Sequence, residues 1–147
     1  MNELILAESY CDASKRYAIL SHDDSSAWLY LHEPTDDQNQ LRPVESSAFA
    51  FNLIPPINRT KVNDFRPAPP PIAQDFASDV AICENPADCL WEITWSNDGQ
   101  SVMAQRDCRA WCFLTPENMR GYSRAIASEG PWGKPWNDKA CAEIVWA

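Results

Sequence analysis

The side chains of this chain with metal-binding, nucleophilic or acid–base chemistry in reach are two histidines, six cysteines and several adjacent carboxylates. His22 and His32 lie ten residues apart. A protein metal site draws three or four ligands to one point, and neither histidine has a second histidine or a cysteine pair at ligand spacing. No metal is expected, and both histidines are read as exposed, one in a turn and one at a strand end. Cys11, Cys83, Cys89, Cys108, Cys112 and Cys141 form no Cys-x-x-Cys pair. On one strand Cys108 and Cys112 would stand about 13 Å apart, beyond disulfide reach. Cys83 and Cys89 bracket the segment 84–88 and are in reach of each other across a loop, with free thiols the preferred state. No cysteine has the cationic surroundings and partner histidine that make a thiolate nucleophile. Asp23-Asp24 and Asp36-Asp37 fall in polar turns, where nothing lifts a carboxyl into the general-acid range. Four glycines leave little for a phosphate loop, and neither Gly-x-Ser-x-Gly nor His-Glu-x-x-His occurs. The residues predict neither an enzyme nor a bound cofactor.

The elements around these residues read as strands. Leu4 to Ala7 and Arg16 to Leu20 are short apolar runs. His22 to Ser26 is a turn, since Asp and Ser side chains bond nearby backbone, and Trp28 to Leu31 is rich in strand formers. Residues 15–32 thus predict a β-hairpin. A loop follows over Glu33 to Gln40, and Ser47 to Ile54 is a further strand. Between Pro55 and Pro71 stand six prolines, which lack the amide donor and fix φ. The reading is an extended surface connector with polyproline character near Pro69-Pro70-Pro71. Residues 79–83 suggest one helical turn or a strand. Glu92 to Trp95, the turn Ser96 to Gly99 with its Asp98-Gly99 hairpin signal, Gln100 to Gln105 and Ala110 to Leu114 form a second meander. Asn137 or Asp138 can cap a closing helix carrying Ala140, Cys141, Ile144 and Val145. Residues 20–28 can be laid over 94–102, a weak repeat signal. The predicted class is mainly β, with α+β as the alternative: two packed antiparallel β-meanders and a short C-terminal helix. A single domain of 147 residues is expected, with meanders over about 1–54 and 73–147 joined by a connector over 55–72.

Composition bounds the partners. Hydrophobic residues make up 45% of the chain, with seven Trp, five Phe and four Tyr, enough for a folded core. The first ten residues lack a basic start and Glu8 interrupts their apolar run, so no secretory signal is read; no window reaches a membrane span. A cytoplasmic location with reduced, mostly buried cysteines is expected. A net charge of −9, from 21 acids against 12 bases, argues against nucleic acid, whose phosphates demand a basic face. Six acids (Asp23, Asp24, Glu33, Asp36, Asp37 and Glu45) lie between Leu20 and Ala50 against Arg42 alone. They form either a solvated face or a surface that steers a cationic partner.

The remaining candidates are aromatic and cationic. Arg120-Gly121-Tyr122-Ser123-Arg124 and the segment Gly130 to Trp136 set Trp and Tyr among glycines and prolines. Trp, Tyr and Arg dominate interface hot spots, so this loop is either a binding platform or a plug on the core edge. Trp28, Tyr30, Arg120, Tyr122, Arg124 and Trp132 are the candidate anchors. The run from Trp95, Asp98 and Gly99 through Arg120 to Arg124 and on to Trp132, Trp136, Asn137 and Asp138 resembles a family of small uncharacterised bacterial proteins. In that family a Trp-Asp-Gly hairpin precedes an Arg-Gly-Tyr-x-Arg segment; the likeness spans about residues 91–138. Where the family has a small glycine turn, this chain has Arg106-Asp107-Cys108-Arg109. Small acidic domains of this kind are similar to the immunity proteins encoded beside bacterial antagonism toxins. The resemblance implies a protein that occludes a basic toxin, such as a nuclease. A structural or adaptor module, and a ligand-binding protein or enzyme with a pocket between the meanders, are the alternatives.

Overall fold

The computed structural model describes residues 3–147. Its first sheet is an antiparallel meander in the order β1 (Leu4–Cys11), β2 (Arg16–His22), β3 (Ser26–His32) and β4 (Val44–Asn52). The second runs β5 (Trp91–Trp95), β6 (Val102–Arg106), β7 (Arg109–Leu114), β8 (Tyr122–Ser123) and β9 (Lys134–Pro135). The mainly-β class of the sequence reading therefore holds. The second sheet departs from a plain meander because β9 pairs with β8 in parallel.

The turns form for local reasons. Between β2 and β3 the Asp23 carboxylate accepts from the backbone N–H groups of Ser25 at 2.8 Å and Ser26 at 2.9 Å. Between β5 and β6, Gly99 adopts φ 71°, a left-handed conformation that suits glycine. Arg106 to Arg109 closes β6 onto β7 with Asp107 at φ 50° and Cys108 at φ 68°, so two ordinary residues hold the positive-φ turn that glycine usually supplies.

Sheet 1 is covered on both faces. One face meets sheet 2, with Leu20, Leu29, Leu31, Phe51, Trp95, Val102, Trp111 and Leu114 buried in a shared core. Each such large side chain contributes roughly 1.5–3 kcal/mol on burial. The opposite face of β3 and β4 presents Trp28 and Phe49, which pack with Ile72, Ala73, Ala125, Ile126 and Trp132. A register shift beside Ala27 and Trp28 pairs Ala27 with Phe51 and Trp28 with Phe49, leaving Ala50 as the extra residue. Such a bulge breaks strict alternation and lets Phe49 and Phe51 enter different cores.

The connector differs from an extended strap. Its prolines sit near its ends, and the proline-free middle forms a 3-10 helix over Arg59–Phe65, where the Asn58 side chain accepts from Thr60 N–H. Its return is pinned by Asn52, which is fully buried. The Asn52 side chain accepts from the N–H of Ile72 at 2.8 Å and donates to the Ile72 carbonyl at 3.2 Å. That side-chain amide replaces a strand neighbour for backbone that would otherwise be buried unpaired.

Other departures are short. Residues 79–83 form neither helix nor strand and touch the sheet through the isolated bridge of Asn52 with Ile82. The closing helix α1 (Asp138–Ala142) is capped by Asn137, whose side chain accepts from Ala140 N–H at 2.9 Å; Ile144 and Val145 lie beyond its end. No helix of the described residues is long and apolar enough to cross a membrane.

Candidate binding cleft

On the face of sheet 1 away from sheet 2, a half-open cleft of about 700 Å³ lies between β3, the connector and the segment 120–132. Its floor is aromatic. Trp28 meets Phe49 edge-on at 5.2 Å between ring centroids, and Phe76 lies 5.4 Å from Trp132. Trp28 and Trp132 are 5% and 4% exposed, so the cleft touches only their outer edges. The Trp28 indole N–H donates to Ser26 Oγ at 3.2 Å and that of Trp132 to the Pro70 carbonyl at 3.0 Å. The second bond ties the proline wall, Pro67 to Pro70, to the C-terminal segment.

Arg120 reaches the rim because of its neighbour. A Cβ on Gly121 would collide with the Phe113 carbonyl and stand 2.8 Å from Ala48 Cβ. With no side chain there, the strand lies flat on β4, and Gly121 N–H donates to the Ser47 carbonyl at 3.1 Å. Arg120 then donates through Nη1 to Ser47 Oγ at 2.8 Å and through Nε to the Pro131 carbonyl at 3.2 Å. Its guanidinium carbon lies 5.5 Å from the Trp28 ring, a cation–π distance. Arg59 and Arg66 complete the rim from the two ends of the 3-10 helix. Arg66 Nε donates to Asn63 Oδ1 at 3.1 Å, and Arg59 Nε lies 3.4 Å from an Asp75 carboxylate oxygen. Tyr30 lines the cleft from β3. Burial first, and then the negative charges of Glu3 and Asp23, hold its phenol well above the usual tyrosine range, despite Arg120 nearby. It is a neutral hydroxyl at ordinary pH.

Four residues named from sequence thus converge here: Trp28, Tyr30, Arg120 and Trp132. Tyr122 and Arg124 do not. Tyr122 stacks on Phe113 at 4.6 Å beneath Lys134 on sheet 2, and Arg124 donates to the Ala110 carbonyl at 2.6 Å while lying 4.0 Å over Trp136. Burial and the Arg109 charge lower the Arg124 pKa, which stays a cation.

The six acids do not form one face. Asp23 and Asp24 lie beyond one end of β3, and Glu33, Asp36 and Asp37 beyond the other, about 20 Å away at the usual rise per residue. Most are engaged. Asp23 builds its turn, Glu45 pairs with Arg16 at 2.7 Å, Glu33 lies 3.6 Å from Arg42, and Asp37 accepts from Asn39 N–H. Asp24 and Asp36 remain exposed. His32 is also not the exposed strand-end residue expected. It is 7% exposed and bonds the Arg42 carbonyl through Nδ1 at 2.7 Å, because the 33–43 loop folds over it.

All six cysteines are free thiols, with Cys83 and Cys112 buried, Cys108 exposed and the others half-buried. Burial pushes the Cys112 thiol up to about 12. Burial likewise raises Cys83, with the nearby Arg106 charge opposing it and Cys89 adding to it. Among the described residues no three of His, Cys, Asp and Glu gather at one point.

Sequence reasoning missed Arg59, Arg66, Phe76 and the proline wall as parts of a site. The available signal was a pair of arginines placed between two groups of prolines. Compared with protein-family models, curated proteins and solved structures, the chain matches none.

Proposed function

We propose that this protein acts by binding rather than by catalysis, and that the cleft over Trp28 and Trp132 is where it binds. One observation carries this: four of the aromatic and arginine residues suited to anchoring a ligand line a single cavity. Its volume of about 700 Å³ falls in the range of small-molecule sites, roughly 300–1,000 Å³. Apolar walls with a few placed polar groups are the usual composition of such sites. The test is a fragment screen read by NMR. Fragments that bind here shift the indole N–H signals of Trp28 and Trp132 and compete with one another. Hits that leave both signals still and shift Trp111 or Trp146 instead overturn the assignment.

A second reading is supported by charge. We propose it as an immunity-type role in which the protein occludes a basic toxin, the net charge of −9 steering the encounter. Asp24 and Asp36 are the exposed acids best placed for this, whereas reversing Asp23 or Asp37 would disturb the turns they hold. The test is co-expression with the protein encoded beside it. Asp24→Lys with Asp36→Lys should weaken protection and make association less salt-sensitive. Full protection by this double variant sinks the reading.

A further inference from the structure

The hydrogen-bonding capacity around the cleft is one-sided. Among its lining residues are Arg59, Arg66 and Arg120 but no Asp or Glu, in a chain where acids outnumber bases 21 to 12. The prolines of the wall add no backbone donors, because proline has no N–H, and Ala68 between them is the one wall residue that does carry one. Three proline carbonyls around the cleft are already engaged: Pro69 accepts from Ser26 Oγ, Pro70 from Trp132 Nε1 and Pro131 from Arg120 Nε. Arg66 and Arg59 are held through Nε. A guanidinium carries five N–H donors and no acceptor, so these contacts leave most of each fork for something else. Tyr30 adds a phenol that stays protonated at neutral pH.

An occupant must therefore bring acceptors and no donors of consequence. It must also bring a flat apolar body, since the floor and walls are Trp28, Phe76, Trp132 and proline rings. A peptide main chain is poorly served here, because it needs donors and acceptors in alternation along its length, and the prolines of the wall interrupt that alternation. We propose that the cleft binds a small organic carboxylate with an aromatic-sized apolar body, the carboxylate meeting the arginine forks and the body lying against the Trp–Pro walls. Planar guanidinium forks match a carboxylate through paired N–H···O bonds. This rests on the cleft being the binding site and goes further by naming what the site selects.

The experiment compares naphthoate with naphthylmethanol, which have the same ring system with and without the charge, by titration calorimetry on the full chain. Naphthoate should bind saturably at one site, and the alcohol at least about tenfold more weakly. Arg66→Glu and Arg59→Glu, both at exposed positions, should each weaken naphthoate by about tenfold or more with only a small shift in melting temperature, because the contacts they lose are exposed. Arg109→Glu, on β7 and outside the cleft, should change neither. Equal binding of acid and alcohol overturns the selection for anions while leaving the cleft as a binding site. Absence of any binding at millimolar probe overturns both. Naphthoate affinity unchanged in Arg66→Glu and Arg59→Glu places the anion elsewhere and overturns the proposal. A capped acidic peptide with an aromatic residue that binds tighter than naphthoate overturns the small-molecule assignment in favour of a protein partner.

Discussion

The acid-rich ends of sheet 1 and the arginine-rimmed cleft differ in how charge is arranged, and the contrast separates number from convergence. Between Leu20 and Ala50 the acids are many, but β3 divides them, and most fasten a turn, a loop or a neighbouring arginine. Exposed ion pairs of this kind are worth little, at about 0–1 kcal/mol. The cleft has three arginines drawn from the connector and the segment after β7, and all three meet one cavity. The three arginines converge on one apolar hollow, whereas the six acids are divided between the two ends of a strand.

Four changes test that contrast. The largest effect is expected at Trp132, which is wall and core together. Trp132→Ala should cost about 3–5 kcal/mol of stability by denaturant titration, and a loss below about 1 kcal/mol would show the wall to be peripheral. Next is Asp23, as a builder of structure. Asp23→Ala removes the acceptor of two turn N–H groups and should cost about 1–2 kcal/mol; an unchanged midpoint would return Asp23 to the free acids.

The cleft phenol comes third. Unfolded Tyr30 ionises near its ordinary value of 10.0, while the native group holds its proton to higher pH. The native state then binds more protons, so this contribution is intact below that value and lost as pH climbs above it. Alkaline unfolding curves of the wild type and Tyr30→Phe should diverge only in that range, and divergence at neutral pH would contradict it. The smallest effect belongs to Asp24→Lys with Asp36→Lys, expected to move stability by less than about 0.5 kcal/mol. A larger loss would reveal contacts at these exposed carboxylates that the fold does not display.

What was legible in the sequence was local. β2, β3, β5 and β7 announce themselves by apolar runs beside Asp, Ser and Gly turns, and the helix cap at Asn137 needs only its own neighbours. β8 and β9 were not legible, because two residues carry no periodicity and their pairing depends on Gly121 lying against β4. The cleft was half legible. Its aromatic and arginine types were recognisable at Trp28, Tyr30, Arg120 and Trp132, but its walls come from stretches up to about a hundred residues apart. The acids misled for the converse reason: nearness in sequence across a hairpin placed them at opposite ends of a strand.

The Asn52 clamp on Ile72 also says when the cleft comes into being. It links residues twenty apart in the chain and is fully buried, so the proline wall has no fixed place until β4 is seated. An unfolded or half-folded chain offers the occupant nothing. Whatever binds there draws only on native molecules and adds RT ln(1 + [L]/Kd) to their stability, about 2.7 kcal/mol at a hundredfold excess over Kd. Amide exchange at Ile72 would then slow with occupancy by the same factor as global unfolding, making one buried backbone proton a gauge of how full the cleft is.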